Sequence, residues 1–318
     1  MTQFDVFNGD ADGICALHQL RLSKPIDSTL ITGVKRDISL LERVEAKSGD
    51  HITVLDVSLD KNCTALEKLL QQGAEVLYFD HHFAGDIPQH SGLQAHIDTT
   101  ATVCTSLLVD QYLDGKYRAW AVTAAFGDNL HDSARQSAQE LLLDDRQLTS
   151  LENLGTYLNY NGYGSTIEDL HFHPAYLYQK LQPYEDPLGF IAEDMAFKQL
   201  QDGYNNDMAN TEKLQAEMET EKHAVFILPN APWARRVSGV FGNELARKFP
   251  GRAHALLTLK KDGGYVVSVR APIATKTGAD VLCRQFETGG GRQAAAGVNH
   301  LPETDTGIFI EKFQQAFS

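Results

Sequence analysis

Four short runs place acids or histidines directly after apolar segments. They are Asn8-Gly9-Asp10-Ala11-Asp12-Gly13 after FDVF, Asp56 within ITVLDVS, Asp80-His81-His82 after EVLYF, and Asp128 in AFGDN. Carboxylates and imidazoles hold divalent cations, and carboxylates gathered in one place repel one another unless a cation neutralises them. Asp10 and Asp12 are one residue apart, so at an extended strand end both carboxylates point to the same side. Each run also has an ordinary reading. NGDADG suits a turn whose Asn and Asp cap a following helix, Asp56 and Asp128 suit helix caps, and adjacent histidines are commonly structural. A calcium loop of the EF-hand kind shares Asn8, Asp10, Asp12 and Gly13, but Gln19 stands where a bidentate Glu is needed. Four such runs, each behind an apolar segment, are more than a packed core accounts for.

A scaffold must bring these runs together. FDVF (4–7), a helix from about Gly13 to Leu22, STLITG (28–33), helical SLLERVEAK, ITVLDVS (52–58), helical CTALEKLLQQ (63–72) and EVLYFD (75–80) alternate strand and helix patterns. Val/Ile/Leu-rich strands separated by helices predict a doubly wound, buried parallel sheet, and such sheets bind ligands beyond the carboxyl ends of their strands. Residues 100–150 read as mainly helical, and 155–190, rich in Tyr, His, Asn and Gly, as a loop-rich insertion. There Tyr160, Tyr163, His171 and His173 suit either base stacking or simple packing. The expected divisions are a catalytic domain over 1–190, a connecting helix over 191–222, and a smaller α/β domain over 223–318. In the last, Gly289-Gly290-Gly291 reads as a loop whose N–H groups can approach a phosphate, with Arg270 and Arg292 flanking it.

Composition narrows the chemistry. With 318 residues, two domains can each bury a core. The 28 Lys and Arg against 42 Asp and Glu leave a net charge of −14, which disfavours a long polyphosphate backbone or duplex but admits a small anion held by cations. Cys15, Cys63, Cys104 and Cys283 are scattered and read as reduced thiols. No apolar run suits a membrane span and the first residues lack a signal-peptide pattern, so the expectation is a cytoplasmic enzyme, monomer or homodimer. Neither a P-loop nor a nucleophile elbow is present.

NGDADG, LDVS, DHH and AFGD, in that order, resemble the four motifs of the DHH phosphoesterase family. Ser268-Val269-Arg270, followed by the run from Gly289 to Gly297, resembles the motifs of its associated C-terminal domain, which leaves about 135–220 unmatched. The resemblance implies an active site in the cleft between two domains and two divalent cations, manganese first and magnesium as the alternative. Asp56 would bridge the cations, with Asp10 serving one and Asp12, His81 and Asp128 the other. His82, Asp80 and Arg270 would be catalytic, and Asn8, Ser268, Arg270, Gly289, Gly290, Gly291 and Arg292 would meet the substrate. Two departures stand out: Asn8 replaces a charged ligand common before the first motif Asp, and Arg292 replaces a His of the glycine-rich loop. The implied reaction is in-line attack of water on phosphorus. The branch resembled is that of the nanoRNases, and the expected substrates are very short 5′-phosphorylated oligoribonucleotides, linear dinucleotides such as pGpG above all. A 3′,5′-bisphosphorylated nucleoside phosphatase, a single-strand exonuclease of broader length range and a non-catalytic nucleotide sensor are the alternatives.

Overall fold

The computed structural model describes residues 1–318, which form two compact units, Met1–Asp202 and Gly203–Ser318. The first unit is an α/β layer structure. Its strands β1 (Gln3–Phe7), β2 (Thr29–Ile31), β3 (His51–Leu55), β4 (Glu75–Asp80) and β5 (Leu93–Ile97) form one parallel sheet in the order β2-β1-β3-β4-β5. Period-two alternation assigns its faces. Phe4, Val6, Ile52, Val54, Val76 and Tyr78 share one core with Leu59, Leu66, Leu69 and Leu70 of helix α2 (Leu59–Gln71). Phe7 and Phe79 turn the other way, toward Tyr178 and Tyr112 respectively.

Helices α1 (Ala11–Ser23), α3 (Thr105–Tyr112), α4 (Arg118–Gly127), α5 (His131–Ala138), α6 (Asp145–Gly162), α7 (Pro174–Leu181) and α8 (Pro187–Glu193) complete this unit. Helices α4 and α6 meet almost backbone to backbone. A Cβ on Gly155 would lie 2.0 Å from the Thr123 carbonyl oxygen, and one on Gly127 would lie 2.5 Å from Ala11 Cβ. Only hydrogen side chains permit that approach.

Three expectations change. SLLERVEAK forms a single 3₁₀ turn, Leu40–Arg43, and buried Asn62 competes for the backbone at its start: Oδ1 accepts from Leu41 N–H (3.2 Å) and Nδ2 donates to the preceding Ile38 C=O (2.6 Å). Residues 155–190 are mostly helix rather than loop. The segment 191–222 is not only a connector, since helix α9 (Met195–Thr211) crosses the boundary between the units and β6 (Ala216–Glu219) is a strand of the second sheet.

The second unit has a six-stranded mixed sheet in the order β10-β11-β9-β8-β7-β6. Its further elements are β7 (His223–Leu228), α10 (Pro232–Lys248), β8 (Ala253–Leu259), β9 (Tyr265–Arg270), α11 (Ala279–Cys283), β10 (Gly289–Gly291), β11 (Ala295–Leu301) and α12 (Thr306–Ala316). Val225, Leu257, Val269 and Val298 pack with Leu282, Phe309 and Phe313 into its core.

Candidate functional site

The order of the first sheet has a topological switch between β1 and β3, where one crossover runs outward to β2 and the next returns. Open parallel sheets bind ligands at such a point because diverging loops leave a crevice there. The acidic runs begin where strand pairing ends. Asn8 N–H donates to Leu55 C=O (3.1 Å), Asp56 N–H to Phe79 C=O (3.1 Å), and Asp98 N–H to Asp80 C=O (3.2 Å). Asp56 then leaves the strand at φ 57°, a left-handed conformation that Asp tolerates better than most residues.

Asp12, Asp56, His81 and Asp128 converge. His81 Nδ1 lies 2.8 Å from Val103 C=O, which can only accept, so Nδ1 carries a proton and Nε2 is the ring nitrogen that offers a lone pair when the ring is neutral. That Nε2 is 3.3 Å from Asp56 Oδ1, 3.9 Å from Asp12 Oδ2 and 3.9 Å from Asp128 Oδ2. Donor atoms set about 2.1 Å from one ion at right angles are about 3 Å apart, so this spacing suits ligands that share a cation. A backbone carbonyl holding the far ring nitrogen is also how metal-binding imidazoles are commonly oriented. One donor atom each from Asp56, His81 and His82 lies within 4.8 Å of the others.

The electrostatics point the same way. Burial, followed by the Asp10 and Asp12 carboxylates, pushes the Asp56 carboxyl well above its usual range. Burial also raises the Asp12 carboxyl against the pull of His81, and Asp128 and Asp10 add to the rise. The cluster is therefore short of positive charge, and its mixed imidazole and carboxylate donors are of the kind that could hold a divalent cation.

Asp12 also organises the backbone nearby, because its carboxylate accepts from the N–H of Thr105 and of Ser106, at 2.7 Å each. These are the first amides of α3, so the carboxylate both faces the cluster and caps that helix. Asp80 serves as a hub beside it. Its Oδ1 accepts from His81 N–H (2.9 Å), His82 N–H (3.2 Å) and His82 Nδ1 (2.7 Å). Burial opposes charge on His82, but the Asp80 hydrogen bond and the Asp56 and Asp80 carboxylates outweigh it and raise the imidazole's pKa. The His82 side chain is 36% exposed, whereas that of His81 is 3% exposed, so His82 alone of the pair can meet a solute.

Asp10 caps α1, its Oδ1 accepting from Asp12 N–H (3.0 Å) and Gly13 N–H (3.1 Å). Its Oδ2 is held by the ammonium of Lys35, a residue that the motif reading does not single out. Lys35 Nζ also donates to Asn159 Oδ1 (3.1 Å) and lies 3.9 Å from Asp128 Oδ1. Burial opposes its charge, yet Asp10, Tyr163, Asp128 and Asp56 raise its pKa far above the ordinary value. The one signal available in the sequence was position: Lys35 follows edge strand β2 at the same sheet end as the motifs. Asn8 donates from Nδ2 to Lys35 C=O (3.3 Å), and its Oδ1 is buried without a hydrogen-bond partner.

The tyrosines and histidines of 155–190 are largely structural. Tyr160 is fully buried with its hydroxyl 2.7 Å from His171 Nε2, which removes it from base stacking, and His173 caps α7. Tyr163 lies beside Lys35, with the ammonium 5.6 Å from the ring centroid.

In the second unit, Arg270 is held by its neighbours. Its Nε donates to Asn243 Oδ1 (2.6 Å) and its terminal nitrogens to Ser268 Oγ (3.0 Å) and Gly239 C=O (3.3 Å). Gly289-Gly290-Gly291 is an edge strand rather than a loop, paired antiparallel with Ala296–Val298. A Cβ on Gly289 would lie 1.7 Å from Cys283 C=O, and Gly291 has φ 136°, so both glycines are required by the fold, whereas Gly290 faces open space. Exposed Arg292 opens the tight turn that follows, its N–H donating to Ala295 C=O (2.9 Å). No helix is long and apolar enough to cross a membrane. All four cysteines are free.

No family model and no curated protein matches the chain. Solved structures do. Exonuclease RecJ bound to manganese superposes with a TM-score of 0.61 at 17% identity, over 99% of this chain and 89% of that one. RecJ of Thermus thermophilus in complex with Mn2+ gives 0.61 at 18%, over 99% and 51%. The pGpG-specific phosphodiesterase PggH of Vibrio cholerae gives 0.58 at 14%, over 99% of each chain. At such identities the likeness is one of fold, and the chain has the fold of RecJ and PggH, a parallel-sheet α/β domain followed by a second domain with its own sheet.

Proposed function

We propose that this chain is a metal-dependent phosphodiesterase that hydrolyses very short 5′-phosphorylated oligoribonucleotides, linear dinucleotides such as pGpG above all, to mononucleotides. The observation that carries the reading is the convergence of Asp12, Asp56 and Asp128 on His81 Nε2, with Nδ1 pinned to Val103 C=O. That donor set fits a divalent cation, manganese first and magnesium second. Such a cation supplies Lewis-acid stabilisation of phosphoryl oxygens and acidifies water.

The chain's own residues then do the rest. Asp80 holds His82 by its Nδ1 and favours its charged form, leaving the opposite nitrogen to contact the phosphate or protonate the leaving oxygen. Arg270 is positioned by Asn243 and Ser268, and Arg292 by the turn after the glycine strand; both serve as substrate contacts in this reading, with Asn8 beside the first motif. The net charge of −14 and the matching length of PggH favour a dinucleotide over a long strand. RecJ supports a second reading, a single-strand exonuclease of broader length range.

The test is a panel of 5′-phosphorylated oligoribonucleotides of two to ten residues, with 3′,5′-bisphosphorylated adenosine beside them, incubated with Mn2+. Turnover of the dinucleotide at least tenfold above the decanucleotide is expected. Equal or faster cleavage of the long strands favours the exonuclease, and release of free phosphate from the bisphosphate alone makes the protein a phosphatase.

A further inference from the structure

Lys35 is held at both of its backbone groups. Its N–H donates to Gly162 C=O (2.8 Å), and its own C=O accepts from Asn8 Nδ2 (3.3 Å). Its side chain therefore leaves from a rigid point and ends on oxygens drawn from three other elements: Asp10 at the start of α1, Asn159 in α6 and Asp128 at the end of α4. An ammonium has three N–H donors and no lone pair, so it takes this oxygen-lined seat as a cation and nothing else. Helix α6 closes the seat, since Gly162 lies so close that a Cβ there would be 3.1 Å from Asp10 Cα.

This arrangement conflicts with a second divalent ion on Asp10. One oxygen of that carboxylate is spent on the amides of Asp12 and Gly13, and the other is held by the ammonium. An incoming ion would have to share Oδ2 with a fixed positive charge, and the neighbouring side chain, Asn8, offers no negative charge in return. By contrast, Asp12, Asp56 and Asp128 each place a carboxylate oxygen within 3.9 Å of His81 Nε2, and the Lys35 ammonium comes near this group at Asp128 Oδ1, 3.9 Å away.

We propose that the Lys35 ammonium stands in for one of the two cations that the family pattern implies, so that this chain binds a single divalent ion, on Asp12, Asp56, His81 and Asp128. The inference rests on the metal-site reading above. It makes Lys35 a permanent counter-ion of Asp10, coupling the first acidic motif to α6 without metal.

Metal-stripped full-length protein titrated with MnCl2, by calorimetry and by electron paramagnetic resonance, tests it. The wild type is expected to bind one ion per chain, with the six-line spectrum of an isolated Mn2+. Asp56→Asn should lose at least about thirtyfold in affinity. Asp10→Asn should still bind one ion, because Asn is as good a helix cap as Asp and the carboxylate is not a ligand of that ion. Lys35→Ala should gain a second, weaker ion, with exchange-coupled signals. Two ions in the wild type overturn the inference and leave the proposed function standing, whereas none at millimolar Mn2+ removes the metal reading itself. One ion in a folded Lys35→Ala also overturns it. Should that variant not fold, Asp10→Asn decides: loss of the single ion there makes Asp10 a ligand and refutes the counter-ion role.

Discussion

Replacing Asp56 by Asn should keep or raise the stability of the metal-free protein while removing most of its stabilisation by manganese. Asp56 is 2% exposed at φ 57°, a conformation that Asn adopts readily and Ala enters at a cost of about 1–2 kcal/mol. Without metal, burial and the Asp10 and Asp12 carboxylates hold its carboxyl well above the usual range. The folded state thus binds this proton more tightly than the unfolded chain, and stability falls as pH rises from the ordinary carboxylate range through the raised value. Asn carries no such penalty, so at about pH 7.5 metal-free Asp56→Asn should melt at or above wild type. A cation at 100 times its Kd adds about 2.7 kcal/mol to the wild type. For a unit of about 200 residues this is roughly 5–11 °C in Tm, and less than about a third of it should survive in the variant. Differential scanning fluorimetry on chelator-treated protein, with and without MnCl2, reads both quantities. Asp56→Ala, carrying the backbone strain, should melt roughly 2–8 °C below Asp56→Asn. A metal-free Asp56→Asn that melts well below wild type, or one that keeps the full manganese shift, would refute the reasoning.

Three further outcomes follow from particular contacts. His82→Gln should keep the manganese shift and lose roughly 10²–10⁴ in kcat, and a loss below tenfold in steady-state assays removes His82 from the chemistry. Gly155→Ala puts a methyl group 2.0 Å from Thr123 C=O, so α4 and α6 must separate; the expected destabilisation is about 2 kcal/mol or more by chemical denaturation. His18, buried with Nε2 2.8 Å from Tyr184 C=O, has its pKa lowered by burial to about 4. The unfolded chain then takes up this proton first, so stability should fall as pH drops from about 6.5 to about 4, by roughly 3 kcal/mol in all. His18→Gln should flatten that slope, and an unchanged slope in pH-dependent urea melts would rule it out as the cause.

The strands that carry the motifs were legible because β1, β3 and β4 are apolar runs ending in acids, and a parallel sheet leaves such ends on one side. Strand β5 was not: Leu93–Ile97 contains Gln94 and His96 and is only half-buried at the sheet edge, so its pattern is weak. Helix α6 was misread because its Gly155, Asn159, Asn161 and Gly162 are poor helix formers on any local scale. Tertiary contacts override that propensity. Asn161 accepts from Phe172 N–H (3.0 Å) and donates to Phe172 C=O (2.9 Å), while Gly155 lets α4 approach. Of the candidate site, the placing of Asp12, Asp56 and His81 at one end of the sheet follows from the strand ends, whereas Asp128 stands at the end of helix α4 and was picked out by the order of the motifs that the family resemblance supplied. The ammonium on Asp10 does not, since Lys35 reaches it from a residue 25 positions away through a loop with no motif of its own.

The most direct test of the central claim is the rate of GMP formation from pGpG in the presence of Mn2+ by wild type and by His81→Ala, followed by chromatography. Two GMP per pGpG from the wild type, with a loss of roughly 10³-fold or more in a folded variant, is the predicted result; no GMP from the wild type, or an undiminished rate in the variant, would contradict it.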